Sequence, residues 1–172
     1  MKKLNIKYFT VILIFLFGAC ESPTVGYNTY EWAKDYKFSL GSEESVEIAV
    51  TMSEALDKRD FETVEMYSTD SVSFYGGDGI KRDLSWLKET IAVRDSVRAV
   101  NKATVDVELK HAYSIVLNPN NGREVVKTHF IYTYKDSLDN VDKWRQYETY
   151  VVKDGKVDRW SGAWQDIPEE TE

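Results

Sequence analysis

Two histidines, a set of tyrosines and one cysteine are the residues here with the readiest chemistry. His111 lies in "ATVDVELKHAYSIVL" and alternates in step with Val105, Val107, Leu109, Tyr113, Ile115 and Leu117. That parity predicts an apolar, pocket-facing side chain. An imidazole in a pocket is a candidate general base, because its pKa suits work near pH 7. The competing reading is a hydrogen-bonded core or rim histidine. His129 shares parity with Lys127 and Thr133, so it is expected on the other face. Tyr75 and Tyr132 are weaker candidates, as proton donor or oxyanion partner. A phenol with a pKa near 10 is a poor base at neutral pH, since little of it is ionised.

Other chemistries find little support. Two histidines without an H-x-x-x-H spacing do not make a zinc set. "DSLDNVD", Asp136 to Asp142, lacks the glycine and distal glutamate of a calcium loop and reads as a solvated hairpin tip. "GGDG", Gly76 to Gly79, has no Lys-Ser/Thr after it to cradle phosphate, and no G-x-S-x-G occurs. No metal and no cofactor is implied.

Cys20, the sole cysteine, lies in "IFLFGACESP". Before it stand Lys2, Lys3 and Lys7, then an uncharged run from Tyr8 to Ala19. A basic start, a short apolar run and small residues describe a secretory signal. The run is shorter than the roughly 17–25 residues of a membrane span. The pair Gly18-Ala19 before Cys20 resembles the lipobox of bacterial lipoproteins. That resemblance implies removal of residues 1–19 and acylation of Cys20. It implies a lipid-anchored place in the bacterial cell envelope, with the outer membrane favoured over the inner. An ordinary signal peptide or an uncleaved anchor is the alternative.

Losing residues 1–19 removes three lysines and no acid, leaving 19 basic against 29 acidic residues, a net −10. Such a surface repels phosphate backbones, so nucleic acid is a poor partner. It also repels anionic lipid, so attachment must come from the acyl chains.

The elements that position these groups follow in order. Residues 20–41 have no clean period and read as a tether, with Tyr30, Trp32 and Tyr36 as its docking rings. Ser42 to Asp60 is the strongest helix, with Ser42 as N-cap and Val46, Ala49, Val50 and Leu56 on its inner face. Asp60 caps a short second helix with Phe61, Val64 and Tyr67 inward. A short strand ends in the Gly76–Gly79 turn, and "KRDLSWLKETIAVRDSV" is a third helix. From Ala103 on the period is two, and turns at Asn118–Gly122, Asp136–Asn140 and Asp154-Gly155 divide it into a four-strand meander. The reading is α+β: three N-terminal helices packed on a curved antiparallel sheet, one domain over 42–168.

This order resembles the NTF2-like, or SnoaL-like, superfamily. "AVTMSEALDKRDFETVEMYSTDSVSFYGGDGIKRDLSWLKETI" is similar to its opening helices and first strand, and "VVKDGKVDRWSGAW" to its closing hairpin. The match covers roughly residues 43–166, most of the mature chain. The resemblance implies a cone-shaped sheet round the helices, a pocket between them, and a homodimer among the partners to test. Its steroid isomerases carry a carboxylate base and a tyrosine where this chain has Tyr75 and Met52. That departure disfavours isomerase chemistry.

The pocket expected from these readings is lined by Tyr67, Tyr75, His111, Phe130, Tyr132, Trp160 and Trp164. Gly162, between the two tryptophans, is expected to leave space above the sheet. An aromatic-walled pocket suits a small, flat or apolar ligand; the alternative is that the rings fill the cone. The leading expectation is a binding or accessory module, with a cyclase- or dehydratase-type enzyme using His111 as the alternative.

Overall fold

The computed structural model describes residues 24–168. Cys20 and the apolar run before it lie outside the described residues. Ten elements follow in the order β1 (Ser39–Leu40), α1 (Glu43–Lys58), α2 (Phe61–Met66), β2 (Ser68–Tyr75), β3 (Lys81–Arg82), α3 (Leu84–Val100), β4 (Thr104–Val116), β5 (Arg123–Lys135), β6 (Val141–Lys153) and β7 (Lys156–Asp166).

Each helix begins where a side chain satisfies an orphan amide. The Ser45 amide donates to Ser42 Oγ at 3.1 Å, that of Thr63 to Asp60 Oδ1 at 3.1 Å and that of Trp86 to Asp83 Oδ1 at 2.9 Å. The third helix therefore starts at Leu84. Lys81 and Arg82, expected within it, instead pair with Tyr75 and Phe74 as an edge strand. In α1 the buried stripe is Ile48, Ala49, Met52 and Ala55, with Val46 and Leu56 partly buried against the same core.

The long strands β4, β5, β6 and β7 form the expected meander. Asp154 and Gly155, at φ 51° and 74°, make its last two-residue turn, and that left-handed backbone is what the right-handed strand twist needs. The sheet itself is wider. Its seven strands run β1-β4-β5-β6-β7-β2-β3, and β2 joins β7 in parallel. Helices and strands interleave along the chain: β2 falls where a short strand is expected, whereas β1 comes from the expected tether and β3 from the start of the expected third helix. The core between helices and sheet holds Met52, Val64, Phe74, Val126, Tyr150 and Val157, each fully enclosed.

Residues 24–41 lie against the sheet. Val25 bridges Phe38, β1 pairs with the end of β4, and Asn28 Nδ2 donates to the Leu117 carbonyl at 3.1 Å. Ala33 and Asn28 are buried, whereas Tyr30 and Trp32, expected as docking rings, point outward. Gly41 lets this segment pass close to the sheet: a Cβ there would sit 2.1 Å from Ser114 Oγ.

Candidate functional site

The concave face is hollow. A cavity of about 1380 Å³ opens between the end of α1, the length of α3 and the strands β5, β6 and β7. That exceeds the roughly 300–1,000 Å³ of common small-molecule sites. Its apolar wall is Leu56, Leu87, Ile91 and Val97 from the helices, faced by Tyr132, Trp144, Trp160 and Trp164 from the sheet. Tyr132 and Trp144 stack at 5.1 Å with their planes 8° apart.

Acids lie among the rings. On β6, side chains of one parity face inward: Trp144, Gln146, Glu148, Tyr150 and Val152. Glu148 is 3% exposed. Its Oε2 accepts from the Tyr150 hydroxyl at 2.6 Å and from Ser53 Oγ at 3.3 Å, and its Oε1 accepts from Gln146 Nε2 at 2.6 Å. Burial pushes its pKa up; the hydrogen bonds oppose this, and the nearby charge of Asp57 adds to it.

Asp57, in the last turn of α1, reaches the same cavity. Burial raises its pKa as well, against the pull of Arg59 and Arg98. Tyr132 lies in the same cavity, and its influence also lowers the Asp57 pKa. Burial first, then the charges of Glu148 and Asp57, hold that phenol well above the usual tyrosine range.

Arg59 is not free to neutralise Asp57 fully. Its Nε and Nη2 both engage Asp95, the former at 2.7 Å, and its Nη1 donates to two carbonyls at the helix end. Arg98 meets Asp95 only at 3.6 Å. The cavity therefore holds two carboxyls biased toward their protonated forms, a phenol between them and arginines at one wall. Proton donors and acceptors of this kind, walled by rings, can move a proton on an apolar molecule.

Of the expected pocket residues, Tyr132, Trp160 and Trp164 line the cavity. Phe130 is buried beside Tyr132 but behind the wall, and Tyr67 packs on the core while its carbonyl accepts from the Val157 amide at 2.7 Å. Tyr75 lies under the Arg159 guanidinium, 5.4 Å away, outside the cavity. Met52, at the position compared with the isomerase tyrosine, is fully buried core.

His111 requires the clearest correction. Up to Leu109, β4 keeps the register of its partner, with Val107 opposite Tyr132 and Leu109 opposite Phe130. The register then slips by one, so that His111 faces His129. Lys110 is the extra residue of a β-bulge. Beyond it the inward residues are Ala112 and Ser114, and His111 turns to the convex face. There it meets His129 edge-on at 5.1 Å, and His129 stacks on Tyr147 at 4.6 Å.

The space expected above Gly162 is taken. A Cβ there would lie 2.9 Å from Trp160 Cζ2, so the indole lies across the glycine. The Trp160 Nε1 is buried and unpartnered.

Asp57, Glu148, Gln146 and Trp144 were not anticipated. One signal was present for Glu148: in "KWRQYETYVVK" it shares the parity of Tyr150 and Val152, an acid on an apolar face. Among the described residues, no three His, Cys, Asp or Glu side chains gather as a metal site, and no helix is long and apolar enough to cross a membrane.

No protein-family model matches the chain, and no curated protein does. Solved structures do. IdmH from Streptomyces antibioticus, a proposed polyketide cyclase, matches at TM-score 0.52 and 13% identity, over 72% of this chain and 93% of IdmH. AclR from Streptomyces galilaeus, a proposed hydroxylase, matches at 0.51 and 13%, over 73% and 81%. The beta subunit of benzoate 1,2-dioxygenase from Burkholderia mallei matches at 0.54 and 9%, over 74% and 92%. At these identities the likeness is one of fold: a curved seven-stranded sheet round three helices.

Proposed function

We propose that this chain is a lipid-anchored protein of the bacterial cell envelope, outer membrane favoured over inner, whose cone binds a small, flat, largely apolar molecule and moves a proton on it. Asp57 is the group that exchanges the proton. The observation that carries this is its place: a half-buried carboxyl with a raised pKa, facing a ring-walled cavity. A raised carboxyl is the better base near neutral pH, because its proton affinity approaches that of the group it must deprotonate. Tyr132 lies in the same cavity, and Glu148, held by Tyr150, Gln146 and Ser53, is pushed by burial toward its protonated form. The reaction class is one of acid–base steps, cyclisation or dehydration. The structural likeness to proposed polyketide cyclases agrees with it.

The test has two readouts. Native mass spectrometry of the purified domain should show a retained small molecule, and Asp57→Asn should retain it too. With a substrate of that class, Asp57→Asn should lower turnover by about 10²–10⁴-fold, the usual contribution of a general base. Retention without any effect of Asp57→Asn on turnover would leave a binding module and remove the catalytic assignment.

A further inference from the structure

We infer that the segment before α1 is a membrane-facing surface: Tyr27, Tyr30 and Trp32 rest in the headgroup layer of the bilayer that holds Cys20. This rests on the acylation of Cys20 proposed above. Three independent observations meet here.

Exposure is the first. Tyr27 is 81% exposed, Tyr30 60% and Trp32 51%, with Val25 beside them in sequence. Tyr30 and Trp32 stack on each other at 5.6 Å. The segment carrying them is firmly held. Asn118 Nδ2 donates to the Trp32 carbonyl at 2.7 Å, Asn120 Nδ2 to the Tyr36 hydroxyl at 2.7 Å, and Ala33 is buried beneath. A fixed backbone thus displays rings with an apolar body and a polar tip, the side chains that favour the membrane–water boundary.

Reach is the second. Four residues lie between Cys20 and Val25, five Cα steps and so a span of at most ~18 Å however they are arranged. An acylated Cys20 holds this segment against the bilayer and leaves every other face of the domain free of that constraint.

Charge is the third. Residues 24–41 contain Glu31, Lys34, Asp35 and Lys37, a net charge of zero, whereas 42–172 carry a net −9. Anionic headgroups repel the rest of the domain and tolerate this segment.

The orientation has a functional consequence. The segment sits at the β4–β5 turn, where Asn118 and Asn120 hold it. The cavity reaches Tyr134, Val141 and Pro168 at the opposite end of the strands. A strand of 13 residues rises about 3.3 Å per residue, so the two ends are roughly 40 Å apart. The mouth therefore faces the aqueous compartment, and the ligand arrives from water and not from the bilayer.

The experiment uses the full chain, processed in a lipoprotein-making host and placed in vesicles of phosphatidylethanolamine and phosphatidylglycerol. Thr29→Cys and Ser137→Cys variants carry a spin label; an acylated Cys20 does not compete for it. Intact mass reports acylation. Collision rates with oxygen and with a nickel chelate report depth. The label at 29 should show a severalfold higher oxygen-to-nickel ratio than the label at 137. Adding Tyr27→Ser, Tyr30→Ser and Trp32→Ser should return it to the aqueous ratio with unchanged mass and thermal unfolding. An acylated mass with aqueous ratios at both labels overturns the orientation and leaves the anchor standing. A mass without acyl chains overturns the anchor, and this orientation with it.

Discussion

On the inner face of the sheet, Glu148 is a carboxyl that burial drives toward its neutral, protonated form; on the outer face, His129 is an imidazole that burial drives toward its neutral, unprotonated form. The two residues lie on neighbouring strands, one pair apart: His129 is opposite Tyr147, and Thr128 is opposite Glu148. Their partners separate them. Glu148 has a hydroxyl or amide donor at each oxygen. His129 Nε2 has no partner, and the charges near it, Arg145 and Lys110, repel a proton. A carboxyl held by donors at both oxygens inside a cavity is available for chemistry. An unsatisfied neutral base between two rings is packing.

The largest break in this comparison is Glu148→Ala. It strands the Tyr150 hydroxyl and the Gln146 amide and opens a void. Each buried donor left unpaired costs about 1–3 kcal/mol, so a loss of about 3 kcal/mol or more is expected in chemical denaturation. Glu148→Gln keeps the shape and the neutrality and should cost about 1 kcal/mol. Equal losses for the two variants would show that Glu148 acts as a buried charge.

Gly162→Ala comes next. The new methyl meets the Trp160 ring at 2.9 Å, and an indole held by Phe74 at 6.2 Å cannot swing away cheaply. Overpacking of this kind costs about 1–3 kcal/mol. Denaturant midpoints check the cost, and the tryptophan emission should shift because the cavity wall moves. A neutral effect would mean that Trp160 can leave the glycine, and that the cavity is larger than described.

These residues also mark what was legible in the chain. The first two helix caps, the four-strand meander and the turns could be read because each depends on a few adjacent residues: Ser42, Asp60, Asp154-Gly155. β2 could be read as a strand between the helices, but its parallel pairing with β7 could not, since it joins residues about ninety positions apart. His111 shows the same limit at one residue. Strict alternation placed it inward, and a single bulged residue, Lys110, reversed it. Glu148 was legible in principle, because its parity with Tyr150 put a carboxylate among apolar neighbours. Trp160 and Trp164 were read as wall residues and are; the empty space between them was not, because a glycine beside a large ring gives room to the ring.

The pH dependence of stability sharpens the comparison, since the two faces slope oppositely. Glu148 has a folded pKa above its ordinary 4.5. The folded state then binds more protons than the unfolded, so this contribution is full below pH 4.5 and is lost as pH rises through the folded pKa. His129 has a folded pKa below its ordinary 6.5. The unfolded state binds more protons there, so stability is full above pH 6.5 and falls as pH drops through the folded pKa. Each slope is at most ~1.4 kcal/mol per pH unit. Glu148→Gln should reduce the loss toward high pH, leaving the part that Asp57 contributes, and His129→Gln should reduce the loss toward low pH, in unfolding followed from pH 4.5 to 8. If either variant removed the other's slope, the assignment of the two faces would be reversed.

The smallest expected effect is that of His111→Ala. His111 is exposed, touches only His129 and Tyr113 among the rings, and stands behind the sheet from Asp57. Its removal should leave ligand retention and turnover unchanged within error and stability within about 0.5 kcal/mol, as for most surface substitutions. Its effect on His129 is more specific. The charge of His111 is one of the terms that lower the His129 pKa, after burial itself. Without it, the His129 titration, followed by proton resonance of the imidazole, should move up toward the ordinary value. A fall in turnover with the fold intact would restore His111 to the chemistry and count against Asp57. An upward titration shift with turnover unchanged would keep the histidines on the outer face as neighbours that tune one another, and leave the inner carboxyls as the groups that can act on a ligand.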